Sequence, residues 1–210
     1  MHERKIRIMV SSTVYGVEEL LDRVYALLTG FGYEVWMSHK GTVPVFSNQT
    51  AFQSCLSAVE KCDLFLGIIT SQYGSGVGDS GVSITHQEIR QAVALKKPRW
   101  FLAHEQVVFA RRLLADLGYR KQQDRQRLAL KARSASLSDL KIIDMYEEAT
   151  MEQLPLNDRQ GNWVQKFVQD DEANLFVVAQ FSRYQDVEQR LIEHFTDSRL
   201  LAKSLGGSDE

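Results

Sequence analysis

The feature that most constrains the fold is a short apolar run, followed by a glycine-rich loop and then by a helical pattern. Residues 63–70, DLFLGIIT, show almost no alternation of apolar and polar side chains, which is typical of a strand covered on both faces. Residues 72–83 contain four glycines, and residues 84–97 place apolar side chains at helical spacing. A strand of this kind predicts a parallel sheet with helices on both sides, because that architecture covers both of its faces.

The alternation of strand and helix extends through the first half of the chain. We predict five core strands, at residues 5–11, 33–38, 63–70, 98–103 and 175–181 (LFVVAQF). Residues 163–168 fit either a short edge strand or a helical turn. Alternation predicts helices on both faces of the sheet. The expected fold is therefore an α/β three-layer sandwich with a five-stranded, mainly parallel sheet of flavodoxin-like type.

This alternation stops after residue 104. Residues 105–117 have a helical pattern, residues 111–133 carry eight basic side chains, and residues 144–152 are acidic. Opposite charges on neighbouring stretches predict a helical hairpin that pairs with itself or is solvated, and the near absence of aromatic residues argues against a nucleic-acid surface. We expect an α/β domain formed by residues 1–104 and 163–202, a helical insertion at 105–162, and a flexible tail at 203–210.

Composition narrows the function classes. A net charge of -2 over 210 residues gives no general attraction to nucleic acid or to an anionic membrane. The chain shows no apolar run of membrane-spanning length and no signal-peptide pattern at its start. Cys55 and Cys62 lie on one predicted helix, about 10 Å apart along its axis, which is too far for a disulfide. These features predict a cytoplasmic protein with reduced cysteines, and no Cys/His spacing suggests a metal site.

The candidate site is expected at the carboxyl ends of the strands, because open parallel sheets bind ligands at that edge. Glu88 falls in the first turn of the helix that follows the glycine-rich loop. Its carboxylate would act there as a nucleophile, or would stabilise positive charge on a sugar. On spacing alone, Glu88 can equally complete a capping box with Thr85, in which each side chain bonds a backbone N–H of the other. Both interpretations stay open at this point.

Other polar groups are predicted at the same edge, as a site for the ribose, phosphate or base of a nucleotide. They are Ser11, Ser12, Thr13, Tyr15, Tyr73, Gly74, Asp79, Ser83 and Arg183. Each has an alternative interpretation: the hydroxyls cap helices, the tyrosines are partly buried strand ends, and Asp79 and Arg183 are solvated. His86 points to a different side of its helix from Glu88, so we do not assign it as a base. The chain lacks the glycine fingerprint of dinucleotide-binding folds, the P-loop and the GxSxG nucleophile motif.

Several of these motifs resemble those of one domain family. They are Ser11-Ser12-Thr13 after the first strand, Asp22-Arg23, Cys62-Asp63, Gln72-Tyr73-Gly74, Ser83-Ile84-Thr85 with Glu88, and Lys97-Pro98. The family they resemble is a TIR-like domain of unassigned function, often found in front of STAND-type ATPases. It is related to TIR domains and to nucleoside 2-deoxyribosyltransferases. The resemblance covers roughly residues 5–103 and the end of the chain, and it implies a TIR-like version of the sandwich predicted above.

The resemblance also implies an activity. TIR domains that cleave NAD carry a Ser-Trp-Cys-x-x-Glu pattern, and residues 83–88 keep its Ser and Glu but lack its Trp and Cys. In the related groups the glutamate acts at the anomeric carbon of a ribose, which implies that role for Glu88. The expected function is therefore an N-glycosidase or glycosyl transferase acting on NAD or a nucleoside phosphate as substrate, with no cofactor. The alternative is a non-catalytic module that senses a nucleotide or binds a protein. Expected partners are a nucleotide and either a second copy of the chain or a separately encoded subunit.

Overall fold

A five-stranded parallel sheet with the strand order β2-β1-β3-β4-β5 forms the centre of the computed structural model. The structure describes residues 5–74, 76, 81–184 and 186–193. The strands are β1 (Arg7–Ser12), β2 (Glu34–Trp36), β3 (Leu64–Ile69), β4 (Arg99–His104) and β5 (Val164–Phe167). Each neighbouring pair is parallel. Every residue of the central strand β3 is buried, so the prediction from its unbroken apolar run is confirmed.

Helices cover both faces of the sheet. They are α1 (Glu18–Gly30), α2 (Ala51–Lys61), α3 (Ile84–Ala94), α4 (Glu105–Asp116), α5 (Gln122–Arg125), α6 (Lys141–Thr150) and α7 (Asp170–Phe181), followed by helical residues 186–193. Helices α1 and α7 form one core with side chains such as Ile8 and Leu66. Helices α2, α3, α4 and α6 form the other core with side chains such as Phe65 and Phe101. The predicted α/β sandwich is therefore confirmed.

The structure corrects the prediction at the C-terminal end. Residues 175–181 are not a strand: they lie in α7, and the fifth strand is β5, within the stretch that the sequence left undecided. The buried side chains of α7 are Ala173, Phe176, Val177 and Phe181, a helical spacing, whereas Leu175 is exposed. The helix begins where the Glu172 carboxylate accepts the backbone N–H groups of Val168 and Gln169.

Oppositely charged stretches between β4 and β5 pair with each other. The buried Arg125 guanidinium contacts Asp144 and Glu147, each at 2.6 Å, and Arg111 contacts Glu147 at 3.0 Å. Beside these ion pairs, Ile142 of α6 is buried in the same core as α3. The predicted pairing of the basic and acidic stretches is therefore present, while the division of the chain at residues 105 and 162 stays a prediction.

Two further features belong to the described part of the chain. Cys55 and Cys62 are both free, as their separation predicted. Within residues 5–74, 76, 81–184 and 186–193, no helix has the length and apolar character that crossing a membrane requires. In the same ranges, no group of three His, Cys, Asp or Glu side chains could hold a metal ion.

We expect Gly67→Ala to destabilise the protein, because β3 has no room for a side chain at this position. A Cβ atom there would lie 2.7 Å from Cδ1 of Phe101, a ring that is completely buried. Overpacking of this kind typically lowers the free energy of unfolding by about 1–3 kcal/mol. Urea denaturation measures this change in the free energy of unfolding. The matched control is Gly30→Ala at the end of α1, where a Cβ meets no atom within 4 Å. Equal midpoints for both variants would contradict the packing of Phe101 on β3.

Candidate functional site

The carboxyl ends of β1 and β3 are joined by side-chain hydrogen bonds. The Thr13 hydroxyl, just after β1, donates to the carbonyl of Gln72 at 2.8 Å and lies 3.3 Å from the Thr70 hydroxyl. The backbone N–H of Gln72 in turn donates to Thr70. The end of β1 and the start of the β3–α3 connection therefore form one polar unit.

Gly74 brings the backbone of this connection into direct contact with β1. Its φ is +91°, and a Cβ atom at this position would lie 2.6 Å from Cγ2 of Thr13. Both the backbone conformation and the space therefore require glycine. The glycine therefore allows the backbone to approach Thr13 closely, whereas its approach to a ligand stays a prediction.

The capping-box interpretation of Glu88 is wrong. Ser83 is the N-cap residue of α3, and its hydroxyl accepts the backbone N–H of His86 at 3.4 Å. The Glu88 carboxylate instead reaches the end of β1, where it accepts a hydrogen bond from the Ser11 hydroxyl. The Cys55 side chain on α2 is a second neighbour, and its interaction with this carboxylate lowers the pKa of Glu88. Glu88 therefore links three elements of the sandwich and does not satisfy its own helix.

Burial controls the protonation of this carboxylate. Glu88 is 5% exposed, and desolvation raises its pKa to about 7, although its interactions with Ser11 and Cys55 oppose the shift. Burial, together with the nearby Glu88, raises the pKa of Cys55 to about 12. Glu88 forms no ion pair within the described residues. A buried carboxylate that exchanges its proton near neutral pH and lacks a cationic partner is a candidate functional group.

A second polar chain runs beside Glu88 and was not predicted from the sequence. The Tyr73 hydroxyl lies 2.8 Å from Nδ1 of the buried His86, whose Nε2 is at ion-pair distance, 3.1 Å, from Glu148 of α6. Nε2 makes no well-aligned hydrogen bond there. Arg90 donates twice to the same carboxylate, at 2.7 and 2.6 Å. Burial opposes ionisation of Glu148, but Arg90 and His86 lower its pKa to about 2.

Most of the predicted site residues are close to this cluster. Ser11, Thr13, Tyr73, Gly74 and Ser83 lie in the contacts described above. The Ser12 hydroxyl donates to the carbonyl of Thr13, and the side chain of Tyr15 is 69% exposed. Asp79 lies outside the described residues. Ligand binding by any of these residues stays a prediction.

Arg183 is the exception. Because residues 175–181 form a helix and not a strand, Arg183 does not follow the carboxyl end of a strand. The adjacent Tyr184 accepts the N–H of Ile6, just before β1, which places this turn at the opposite edge of the sheet. Arg183 is exposed and pairs with Asp186 at 3.1 Å. Its predicted place at the carboxyl edge is therefore wrong.

The cluster is closed in this structure. Ser11, Tyr73 and Glu88 are each at most 5% exposed. Cavities beside the described residues lie between α1 and α7, between α2 and α3, and beside α5 and the start of α6.

Comparison with known proteins places the chain in context. Residues 7–196 match the family model described as "Domain of unknown function (DUF4062)". No curated protein matches the chain. Among solved structures, a 2-deoxyribosyltransferase from Bacillus psychrosaccharolyticus is 21% identical, with 46% of this chain and 72% of that chain covered and a TM-score of 0.32. A conserved protein from Enterococcus faecalis V583 is 11% identical, with 84% and 99% covered and a TM-score of 0.39. These two structural similarities do not support any conclusion about activity.

The raised pKa of Glu88 predicts that the folded state loses stability as the pH rises from about 4.5 to about 7. In that window the folded state keeps a proton that the unfolded state has released, so raising the pH favours unfolding. Glu88→Gln cannot ionise, and its free energy of unfolding should improve relative to the wild type by about 2–3 kcal/mol between pH 5 and pH 8. Urea denaturation at both pH values measures this difference. If the free energies of unfolding of the two proteins changed equally with pH, the Glu88 carboxylate would not be desolvated.

Proposed function

Because the chain belongs to the DUF4062 family of domains of unknown function, we propose its activity from its site: Glu88 acts at the ribose of a nucleotide to break or transfer the N-glycosidic bond. The observation that carries this proposal is the buried carboxylate at the carboxyl ends of β1 and β3, which has no cationic partner within the described residues. The resemblance of residues 83–88 to the Ser and Glu of NAD-cleaving TIR domains supports it. A TIR-like relationship of the whole fold is part of the same proposal.

The chemistry suits an isolated carboxylate. When the base leaves, the C1–N bond breaks, its electron pair goes to the base nitrogen, and C1 becomes positively charged. A Glu88 oxygen donates an electron pair to C1, so that a glycosyl–enzyme ester forms or the charge is stabilised. Water or a second acceptor then attacks C1, loses its proton to the solvent, and releases the carboxylate. A site that excludes water strengthens the attraction between Glu88 and C1.

Neighbouring polar groups would hold the rest of the nucleotide. The hydroxyls of Ser11, Ser12 and Thr13 and the backbone around Gly74 suit ribose and phosphate oxygens. Ser83 would contribute from the start of α3, and the exposed ring of Tyr15 would stack on a base. We include Asp79 on the same connection, and we leave Arg183 out because it lies at the opposite edge. NAD or a nucleoside phosphate is the proposed substrate.

A non-catalytic binding module is the second candidate. It is favoured by the hydrogen bond from Ser11 to Glu88, because this bond already satisfies the carboxylate in the closed cluster. Such a module would bind a nucleotide or a protein at the same edge without chemical turnover. The two candidates differ in whether free base appears.

We expect the wild type to release free base from NAD or from a nucleoside phosphate. The rate of release by Glu88→Gln should be lower by a factor of about 100 or more. Glutamine keeps the size and hydrogen-bonding capacity of the side chain but neither attacks C1 nor carries a negative charge. Chromatography of NAD and a panel of nucleoside monophosphates, incubated with purified protein, measures the release. The assay covers low and high protein concentration, since the active form is proposed to be a homo-oligomer or a complex with a separately encoded subunit.

The matched control is Glu105→Gln. Glu105 begins α4 at the same edge of the sheet, has a side chain that is 43% exposed, and pairs with Lys166 at 3.4 Å. The Glu105→Gln variant should keep the wild-type rate of base release. Equal background release by the wild type and Glu88→Gln at every concentration would reject the enzyme. Saturable nucleotide binding without release would support the binding module instead.

A further inference from the structure

Helix α4 is apolar on its outward face as well as on the face that packs against the sheet. On the inner face, Val107 is buried in the core that α4 shares with α2, α3 and α6, and Leu114 packs against that core. On the outer face, large apolar side chains are exposed: Phe109 by 63%, Leu113 by 46% and Leu117, at the end of the helix, by 62%. The outward face of a surface helix is normally polar, so these three side chains need an explanation.

The three exposed side chains form one continuous stripe. Their spacing of four residues places them nearly above one another along the helix. We call Phe109, Leu113 and Leu117 together the α4 stripe. The other exposed positions of this face are polar, namely Gln106, Arg112, Asp116 and Arg120. Exposed apolar side chains that are grouped and rimmed by polar ones mark an interaction surface, whereas single ones do not.

Two opposite charges lie on one flank of the α4 stripe. Arg112 directly precedes Leu113, and Asp116 directly precedes Leu117, so each charge is displaced from the stripe by about 100° in the same direction around the helix. Although the two residues are four apart, no ion pair joins them, and neither pairs with another side chain in the described part of the chain. This flank therefore fits a partner that carries the same two charges in the reverse order.

A second copy of the chain carries the two charges in that order. In a two-fold dimer the same patch meets itself, so that residue i contacts j and j contacts i. Two antiparallel α4 helices, related by an axis level with Leu113, place Phe109 opposite the partner's Leu117. The same axis brings Arg112 within about 3 Å of the height of the partner's Asp116. Because the two-fold turns each flank toward its own copy, this ion pair forms twice.

The position of α4 leaves this face accessible. The helix packs against β4, β5 and α6, and β5 is the last strand of the described sheet. The α4 stripe points away from these elements, as the exposure of its side chains shows. Leu113 lies about 12 Å along the helix from Glu105, which begins α4 at the carboxyl edge of the sheet. Pairing centred on Leu113 therefore leaves the carboxyl edge uncovered.

We propose that the α4 stripe is a self-association surface, through which two copies of this chain pair antiparallel about a two-fold axis. Apolar contacts at the centre supply the attraction, because they remove exposed apolar surface from water. The charges of Arg112 and Asp116 set the direction and the register of the pairing. The pairing does not rest on the proposed function, since it is measured without substrate.

Sedimentation velocity of the purified full chain, over a series of protein concentrations, measures the dissociation constant of the dimer. Leu113→Glu places two carboxylates opposite each other at the axis. Arg112→Glu and Asp116→Arg each oppose like charges, whereas the two changes combined restore opposite charges in reversed order. The matched control is Leu175→Glu, which changes an exposed leucine of α7 on the other face of the sheet. Circular dichroism checks that each variant keeps its helical content.

We expect the wild type to form a reversible dimer. Leu113→Glu should raise the dissociation constant by a factor of about 30 or more, because central contacts carry most of the binding energy of an interface. Each single charge reversal should raise it about tenfold. The combined reversal should return it to within about threefold of the wild-type value, since the two changes are coupled. Leu175→Glu should leave it unchanged.

Every other result overturns a stated part of the proposal. A wild type that is monomeric at every concentration would overturn self-association, even if another protein binds the α4 stripe. A dimer that Leu113→Glu leaves intact would show that the chain pairs through another surface. Weakening by both single reversals without recovery in the combined variant would overturn the antiparallel register.

The result is separable from that of the proposed function. A dimer with the expected response to the variants, but without release of base, would support the α4 stripe and reject the glycosidase. Release of base by a wild type that stays monomeric would support the glycosidase and reject the α4 stripe.

Discussion

The hydrogen bond from Ser11 to Glu88 is the contact on which the rest of the site depends. It spans 77 residues of sequence and joins the end of β1 to the first turns of α3. The carboxylate can be placed there because Ser83 already satisfies the start of the helix. Desolvation of an acidic group is costly, and the hydroxyl and the Cys55 thiol offset only part of that cost. A carboxylate kept in this environment without a cation has a cost in stability that a purely structural side chain would avoid.

The same edge of the sheet contains two acidic groups in opposite states. Glu88 is desolvated and exchanges its proton near neutral pH, whereas Glu148 is held ionised by Arg90 and His86. The difference comes from burial and from the partners of each carboxylate: Glu88 is buried and has no cation beside it within the described residues, whereas the Glu148 side chain is 32% exposed and contacts Arg90. Glu148 therefore behaves as an anchor between α3 and α6, and Glu88 is the carboxylate to which we assign the proposed chemistry. The segment between β4 and β5 thus contributes Glu148 to this edge of the sheet as well as side chains to the second core.

Much of the fold could be predicted from local patterns, and the failures have a physical cause. The apolar run of β3 and the helical spacing of α3 can be recognised from the sequence, because a buried strand and a helix space their apolar side chains differently. The strand predicted at residues 175–181 is wrong because a short apolar run fits either a strand or a buried helix. The contact of Glu172 with Val168 and Gln169, which starts α7, decides between them. The same ambiguity explains the wrong position predicted for Arg183. Because residues 175–181 form a helix, Arg183 lies at the opposite edge of the sheet.

By itself, the sequence determined the class of the fold and the presence of an acidic residue near the carboxyl end of the central strand. Both follow from spacing within a single segment, which is a local property. Tertiary structure alone decided that Glu88 bonds Ser11 and not Thr85, that Cys55 lies beside it, and that Glu148 of α6 reaches His86. These partners lie in distant segments, and their meeting depends on the order of the strands and on how the helices pack across them. No periodicity within one segment contains that information.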